Sequence, residues 1–170
     1  MTLTAERLRQ VLTYDPATGI FRWAEKLSIR IQKGAVAGYT DPRPGKWHGR
    51  VYLRIDTKLY LAHRLAWLYA HGEWPAAQID HINGNPNDNR LENLRGATHA
   101  ENARNSRKPR NATTSRLKGV SFDKSRGKWM AQIGHDGQHI HLGRHNTEEA
   151  AHAAYCAAAE HLHGNFARLA

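Results

Sequence analysis

Gln78-Ile79-Asp80-His81-Ile82-Asn83-Gly84-Asn85-Pro86 is the stretch that decides the fold of the first half of this 170-residue chain. Gln78 to His81 is typical of the end of a β-strand, and the residues from Asn83 to Pro86 are a dense cluster of turn formers. The chain returns through Leu91-Glu92-Asn93-Leu94, so the sequence predicts a tight hairpin with Asn93 in the returning strand. Thr98 and Glu101 then form a capping box, which predicts a helix from about Ala97 to Ser106.

Polar residues of three types fall on this strand, hairpin and helix. The predicted elements would bring Asp80, His81 and Asn93 to one point, together with Asn102 from the first turns of the helix. Hydrolysis of a phosphodiester needs an activated water and a positive charge beside the departing oxygen. An imidazole can act as the base, and a divalent ion held by oxygen ligands can supply the charge.

These residues resemble the HNH endonucleases of the ββα-metal class, in the zinc-free branch found among phage and intron-borne nucleases. The resemblance runs from about Val51 to Asn105, and its motifs are Ile79 to Asn85, Asn89 to Arg95, Ala97-Thr98 and Glu101-Asn102. It implies that His81 is the general base, that Asn93 orients its ring, and that Asp80 and Asn102 bind one Mg²⁺ or Mn²⁺ ion. Asn102 stands where the family name has its final His, and an amide oxygen suits these hard cations. No structural zinc is expected.

The helix before this hairpin contains two residues with two interpretations each. Leu61, Leu65, Leu68 and Tyr69 recur at helical spacing, and Gly72 can end the helix in a left-handed conformation. His63 lies on this apolar helix, which favours a packed structural role over catalysis. Arg64 either contacts a phosphate or covers the helix surface with its aliphatic stem.

A polar and basic stretch from Arg104 to Arg116 predicts a domain boundary. We expect an α+β protein with a nuclease domain at 1–106 (ββα-metal core at about 76–106, scaffold before it), a basic linker at 107–116, and a second domain at 117–170. In that second domain, residues 119–122, 128–133 and 139–142 are typical of strands, and an Ala-rich helix opens at Thr147. A three-stranded antiparallel sheet packed on one helix is the predicted architecture.

Residues from about Ser115 to Leu169 resemble the plant ethylene-response-factor type of DNA-binding domain. In that family the sheet enters the major groove and the helix braces its back. Ser121, Asp123 and Gly134 fall where the plant domains often place Arg, and His139 and His141 fall where they have Arg and Trp. The plant GC-rich target is therefore not implied, because bidentate guanine recognition needs Arg or Lys.

Cations spread over the whole chain are the predicted DNA contacts. They are Arg64, Arg95 and Arg104 in the first domain, Arg107, Lys108 and Arg110 in the linker, and Lys118, Arg126, Lys128 and Arg144 in the second domain, with Trp129 as an aromatic contact. Packing between sheet and helix is the equal alternative for Trp129. A solvated charged face is the alternative for the four cations of the second domain, and a disordered spacer whose charge only aids solubility is the alternative for the linker.

Composition points to a polyanionic partner. The formal charge of +10 and a pI near 10.1 make nucleic acid the leading partner class, with a soluble protein that merely happens to be basic as the alternative. The two family resemblances imply double-stranded DNA as the partner. The single cysteine, Cys156, excludes an intramolecular disulfide and a CxxC zinc site. With neither a secretion-type start nor a long apolar stretch, we expect a cytoplasmic protein of a bacterial or phage-infected cell that does not contact membranes. A monomer and a DNA-dependent dimer both remain open.

The leading functional hypothesis is a metal-dependent DNA endonuclease of the phage or homing type. The alternative is a non-cleaving, sequence-specific DNA-binding regulator with a degenerate nuclease half. An RNA-binding protein is disfavoured, because no RNA-binding module motif is recognisable.

Overall fold

The computed structural model describes residues 2–40, 49–106 and 114–169, and the chain divides into two compact units, Met1–Thr98 and His99–Ala170. Both units mix helices and antiparallel strands, which confirms the predicted α+β class. In the parts of the chain that the structure describes, no helix is both long and apolar enough to span a membrane.

In residues 2–40 and 49–98, the structure shows two short α-helices and seven strands in the first unit. They are α1 (Ala5–Val11), β1 (Leu12–Asp15), β2 (Ile20–Trp23), β3 (Tyr39–Thr40), β4 (Val51–Ile55), β5 (Lys58–Leu61), α2 (Ala62–His71), β6 (Gln78–His81) and β7 (Leu94–Ala97). The strands form three antiparallel sheets, β1-β2, β3-β4-β5 and β6-β7. Helix α1 begins where the Thr4 hydroxyl accepts a hydrogen bond from the Arg7 backbone N–H at 3.2 Å. Helix α2 ends at Gly72, which has the predicted left-handed conformation with φ of 81°.

One hydrophobic core holds the first unit together. Leu8 from α1, Leu53 from β4 and Leu65 from α2 are almost fully buried in it. Ile79 and Leu94, which lie on β6 and β7, belong to the same core. The hairpin that carries Asp80 and His81 is therefore anchored to the N-terminal scaffold and shares its stability.

The segment between β6 and β7 differs from the predicted tight hairpin. Residues 82–93 form a long connection, and Asn93 lies in a 3₁₀ turn, Leu91–Asn93, and not in the returning strand. The Asn93 side chain explains its position, because its Oδ1 accepts from Asn83 N at 3.0 Å and its Nδ2 donates to Asp88 O at 2.8 Å. These bonds keep Asn93 in the loop, and β7 begins one residue later.

The second unit contains α3 (His99–Asn105), β8 (Val120–Asp123), β9 (Lys128–His135), β10 (Gln138–His145) and α4 (Glu148–His163). Its antiparallel sheet has the order β10-β9-β8, and α4 packs on one face, as predicted. Gly119 lies against the ring of Tyr155 on α4, and a Cβ at this position would lie 1.9 Å from Tyr155 Cδ2. Only glycine allows this close approach.

Helix α3 lies in the second compact unit, His99–Ala170. The domain boundary expected at 107–116 stays a prediction. The helix begins at His99, because Ala97 is still paired to Gln78 in the β6-β7 sheet. α3 lies against the 3₁₀ turn Gly164–Phe166 that follows α4. Residues 107–113 of the expected linker lie outside the described residues.

Candidate functional site

His81 lies at the end of β6 with 9% of its surface exposed. Its Nε2 atom is 3.3 Å from Asn89 Oδ1, and its ring meets the ring of His63 edge-on with the centroids 5.0 Å apart. Burial lowers the pKa of His81, and the positive charge of Arg50 acts in the same direction, whereas the hydrogen bond to the Asn89 side chain raises it. His81 is therefore an uncharged imidazole near neutral pH.

His63 on α2 is buried, with 5% of its surface exposed, in agreement with the packed role expected for it. Burial and the nearby His81 lower the pKa of His63 to about 3. A neutral second imidazole thus forms one wall of the His81 environment.

Asp80 and Arg95 form a buried ion pair across the β6-β7 sheet. The two residues are register partners, and both Arg95 Nε (2.9 Å) and Nη2 (2.7 Å) donate to Asp80 Oδ2. The Asp80 side chain is 6% exposed and that of Arg95 is 17% exposed. Arg95, which we expected to contact DNA, is thus the counter-ion of the candidate metal ligand.

The loop opposite His81 is held by side-chain hydrogen bonds among its own residues. Arg90 Nη2 donates to Asp88 Oδ2 at 2.8 Å, and Asn83 Nδ2 donates to the same carboxylate at 2.7 Å. These bonds lower the pKa of Asp88 to about 2, so it remains charged. Asn89 is 2% exposed, and its Nδ2 donates to Asn87 O at 3.2 Å, which turns its Oδ1 toward His81.

The N-terminal scaffold supports this loop directly. Tyr14 Oη donates to Asn89 O at 2.8 Å, and Leu91 N donates to Pro16 O at 3.0 Å. Gly19 approaches so closely that a Cβ there would lie 2.5 Å from Arg90 N. The turn between β1 and β2 therefore positions the residue that contacts the His81 ring.

The remaining predicted residues of the nuclease half lie as follows. Asn102 and Arg104 are on α3 in the second unit, where Arg104 Nη2 is 3.4 Å from Asp136 Oδ1. Arg64 stacks over the ring of Trp74 at 5.7 Å, which matches the surface-covering alternative. Arg107, Lys108 and Arg110 fall outside the described residues.

Many metal sites in proteins are rich in acidic, histidine or cysteine side chains. The described residues contain no group of three or more such side chains that could hold a metal ion. A site built from Asp80 and a carboxamide would offer a small set of hard oxygen donors. That set fits Mg²⁺ or Mn²⁺, because Mg²⁺ commonly keeps several waters and uses one or two carboxylates.

In the second unit, one face of the sheet turns away from α4. Because cross-strand partners share a face, the pairs Asp123↔Lys128, Ser121↔Met130 and Arg144↔Met130 define this surface, which we call the outer face. His139 and His141 are exposed on the same face. Lys128 Nζ bonds to Asn146 Oδ1, and Arg126 and Arg144 both contact Asp123.

Two residues predicted to touch DNA have structural partners inside the second unit. Trp129 is half-buried against the cluster of Val120, Ala131 and Ala151, as in the packing alternative. Lys118 Nζ donates to the carbonyl oxygens of Arg104 and, at 2.7 Å, Ser106, which are at the C-terminal end of α3. DNA contacts by these two side chains remain predictions.

Sequence reasoning missed two residues near His81. Asn89 stands inside a motif that was recognised, but its contact with the imidazole depends on the fold of a long loop. Arg50, just before β4, lowers the pKa of both His81 and His63 by its charge. Nothing in the local sequence links Arg50 to residues so far along the chain.

Comparison with known proteins agrees with this architecture. Residues 60–104 match the family model of the HNH endonucleases, and residues 115–165 match that of the AP2 domain. The chain therefore belongs to the HNH endonuclease family and has an AP2 DNA-binding domain C-terminal to its nuclease domain. Protein 3.8 of Escherichia phage T7 is 37% identical to it over 108 residues, which are 63% of this chain and 88% of that protein.

Proposed function

We propose that this protein is a metal-dependent DNA endonuclease of the phage or homing type, in which His81 is the general base. The observation that supports this most strongly is the pair of buried neighbours at the end of β6, an uncharged imidazole and a carboxylate, inside the segment that matches the HNH endonucleases. DNA is the substrate class that both matched domains indicate. Its site of action would be the cytoplasm of a bacterial or phage-infected cell.

The contact with Asn89 supports different roles for the two ring nitrogens of His81. The Asn89 amide is oriented by its own bond to Asn87 O, so the atom facing His81 is an oxygen, which can only accept. His81 then carries its proton on Nε2 and its lone pair on Nδ1. Nδ1 is the atom that would take a proton from the attacking water. The lowered pKa of His81 keeps the ring uncharged at neutral pH, as a general base requires.

Asp80 and Asn102 are the proposed ligands of a single Mg²⁺ or Mn²⁺ ion, and Asn93 is the proposed orienting residue. When bound, the cation supplies positive charge at the scissile phosphate and the departing 3′ oxygen. Asp80 Oδ2 accepts two hydrogen bonds from Arg95, so Arg95 would hold the carboxylate in place until a cation is present. Asn93 acts on His81 indirectly in this proposal, since its side chain fixes the loop that contains Asn89.

The AP2 domain would hold double-stranded DNA through its outer face. Lys128 and Arg126 are exposed and can contact phosphates, which fix position without sequence information. The net charge of +10 favours such binding at low salt.

A plasmid assay tests the proposal. Supercoiled plasmid is incubated with the wild-type protein in Mg²⁺, Mn²⁺ or EDTA, and with His81→Ala and His71→Ala as a matched pair. His71 is an exposed histidine of the same unit at the end of α2, so its variant controls for loss of any imidazole. We expect cutting that depends on the metal, a loss of about 10²–10⁴-fold in His81→Ala, and no change in His71→Ala.

The outcomes separate the hypotheses. Equal DNA affinity with lost cleavage in His81→Ala supports the general base, whereas an unchanged cleavage rate excludes that role. Binding by the wild type without cutting in any metal would support the DNA-binding regulator instead. Open-circle product indicates nicking, and linear product indicates cuts in both strands.

A further inference from the structure

The outer face of the AP2 domain contains a hydrogen-bond network that is centred on a carboxylate. Asp123 lies at the end of β8, and its side chain is only 15% exposed. Its Oδ1 accepts from Ser125 Oγ at 2.7 Å and from Ser125 N at 3.2 Å. These bonds and the nearby arginines hold the pKa of Asp123 well below its usual range, so it is charged. An acidic group here, on a face expected to meet a polyanion, requires an explanation.

Arg144 supplies that explanation through its geometry. It lies on β10, two strands from β8, and its side chain crosses the face above β9 to donate Nε–H to Asp123 Oδ2 at 3.0 Å. Among the described residues, its two terminal nitrogens form no hydrogen bond. The side chain is 37% exposed. Bonding through Nε leaves the fork of two terminal N–H groups as the recognition end.

Arg126 contacts the same carboxylate in a different way. Its bond runs from the terminal Nη1 at the longer distance of 3.4 Å, and its side chain is 62% exposed in the turn between β8 and β9. An exposed cation that uses a terminal nitrogen for Asp123 suits a phosphate contact. It cannot present a fixed fork in the same manner as Arg144.

We propose that Arg144, positioned by Asp123, recognises one guanine in the major groove of the DNA bound by the AP2 domain. Guanine presents O6 and N7 as two acceptors on one edge, and a fixed guanidinium fork matches them with two parallel hydrogen bonds. Asp123 is a positioning residue, since an ionised carboxylate has no proton to donate to guanine O6 or N7 and repels a phosphate. This inference rests on the proposed DNA binding of the outer face.

Selection from random double-stranded DNA tests the proposal. The full chain is used in EDTA, so that bound DNA is not cut, and the selected sequences are compared for wild type, Arg144→Lys, Asp123→Asn and Arg126→Lys. We expect the wild type to select one position with about tenfold to hundredfold preference for guanine. Arg144→Lys should lose that preference and keep its affinity for unselected DNA, because the charge is retained and the fork is not.

The other variants distinguish readout from simple charge. Asp123→Asn should weaken the preference without lowering total affinity, a result that a merely structural role would not give. Arg126→Lys is the matched control and should select the same sequence as the wild type. An unchanged guanine position in Arg144→Lys, or tight binding by the wild type without any sequence preference, would overturn the inference about Arg144 but not the proposed DNA binding. Failure of the wild type to bind any DNA would overturn the proposed DNA binding as well.

Discussion

Replacing Arg95 by Met should strongly destabilise the first unit, because it removes two hydrogen bonds and a neighbouring positive charge from the buried carboxylate of Asp80. Asp80 has a side-chain exposure of 6%, so water cannot replace the two hydrogen bonds from Arg95 unless the β6-β7 sheet opens. Met keeps most of the aliphatic volume of Arg, so the change tests charge and hydrogen bonding more than packing.

The expected magnitude follows from the burial of the two partners. Removing one member of a buried pair costs about 3–5 kcal/mol, and the 17% exposure of Arg95 places this pair near the lower value. A loss of about 3 kcal/mol lowers the melting temperature of a unit of this size by about 12–20 °C. Urea unfolding followed by fluorescence at pH 7 measures the change.

Two further variants make the result decisive. Arg7→Met removes an arginine from an exposed ion pair with Asp56, whose side chains are 46% and 53% exposed, and should barely change the midpoint. Asp80→Asn combined with Arg95→Met also removes the buried carboxylate charge and should recover much of the loss. If Arg95→Met unfolds at the same urea concentration as Arg7→Met, the argument from burial is wrong.

Two more predictions concern titration and the end of α3. Stability should fall as the pH is lowered from 7 to 5, because His63 has a folded pKa of about 3 and an unfolded value near 6.5, so the unfolded chain takes up the proton first. His63 alone changes the free energy of unfolding by up to about 1.4 kcal/mol per pH unit. The urea midpoint of a His63→Gln variant should therefore depend less steeply on pH than that of the wild type. A wild-type midpoint that does not change with pH would contradict this. Lys118→Met should speed amide hydrogen exchange in the last turn of α3 by about tenfold, since the Lys118 ammonium group binds the carbonyl oxygens there. Burial lowers the pKa of Lys118 to about 8, so the difference in exchange rate between the wild type and Lys118→Met should shrink above that pH. Lys124 is exposed, and the control variant Lys124→Met should exchange at the wild-type rate.

The elements that sequence predicted well have strong local signals. Helix α2 spans Ala62–His71 as expected, because apolar spacing marks its face and Gly72 marks its end. Strand β6 ends at His81, and α4 is capped by Thr147, whose Oγ1 accepts from Ala150 N at 3.1 Å. Each of these features is decided by residues within one or two turns of chain.

The features that sequence could not predict depend on distant contacts. The Asp80–Arg95 pair requires the strand register, which cannot be deduced until the connection at 82–93 is known to be long. The sequence predicts Asn93 in a strand, whereas the hydrogen bonds of its side chain to Asn83 and Asp88 hold it in a 3₁₀ turn. The partnership of Lys118 with α3 crosses the segment that was expected to separate two domains.

That partnership has a practical consequence for anyone who recombines such modules. A chimera joined at residue 106 would graft α3, with Asn102, onto a foreign neighbour and leave behind the lysine that caps it. A junction at Thr98 instead transfers α3 together with the sheet and helix that surround it. On this division, exchange of the C-terminal module would also exchange one of the proposed cation ligands, so a single recombination would change DNA targeting and metal preference together.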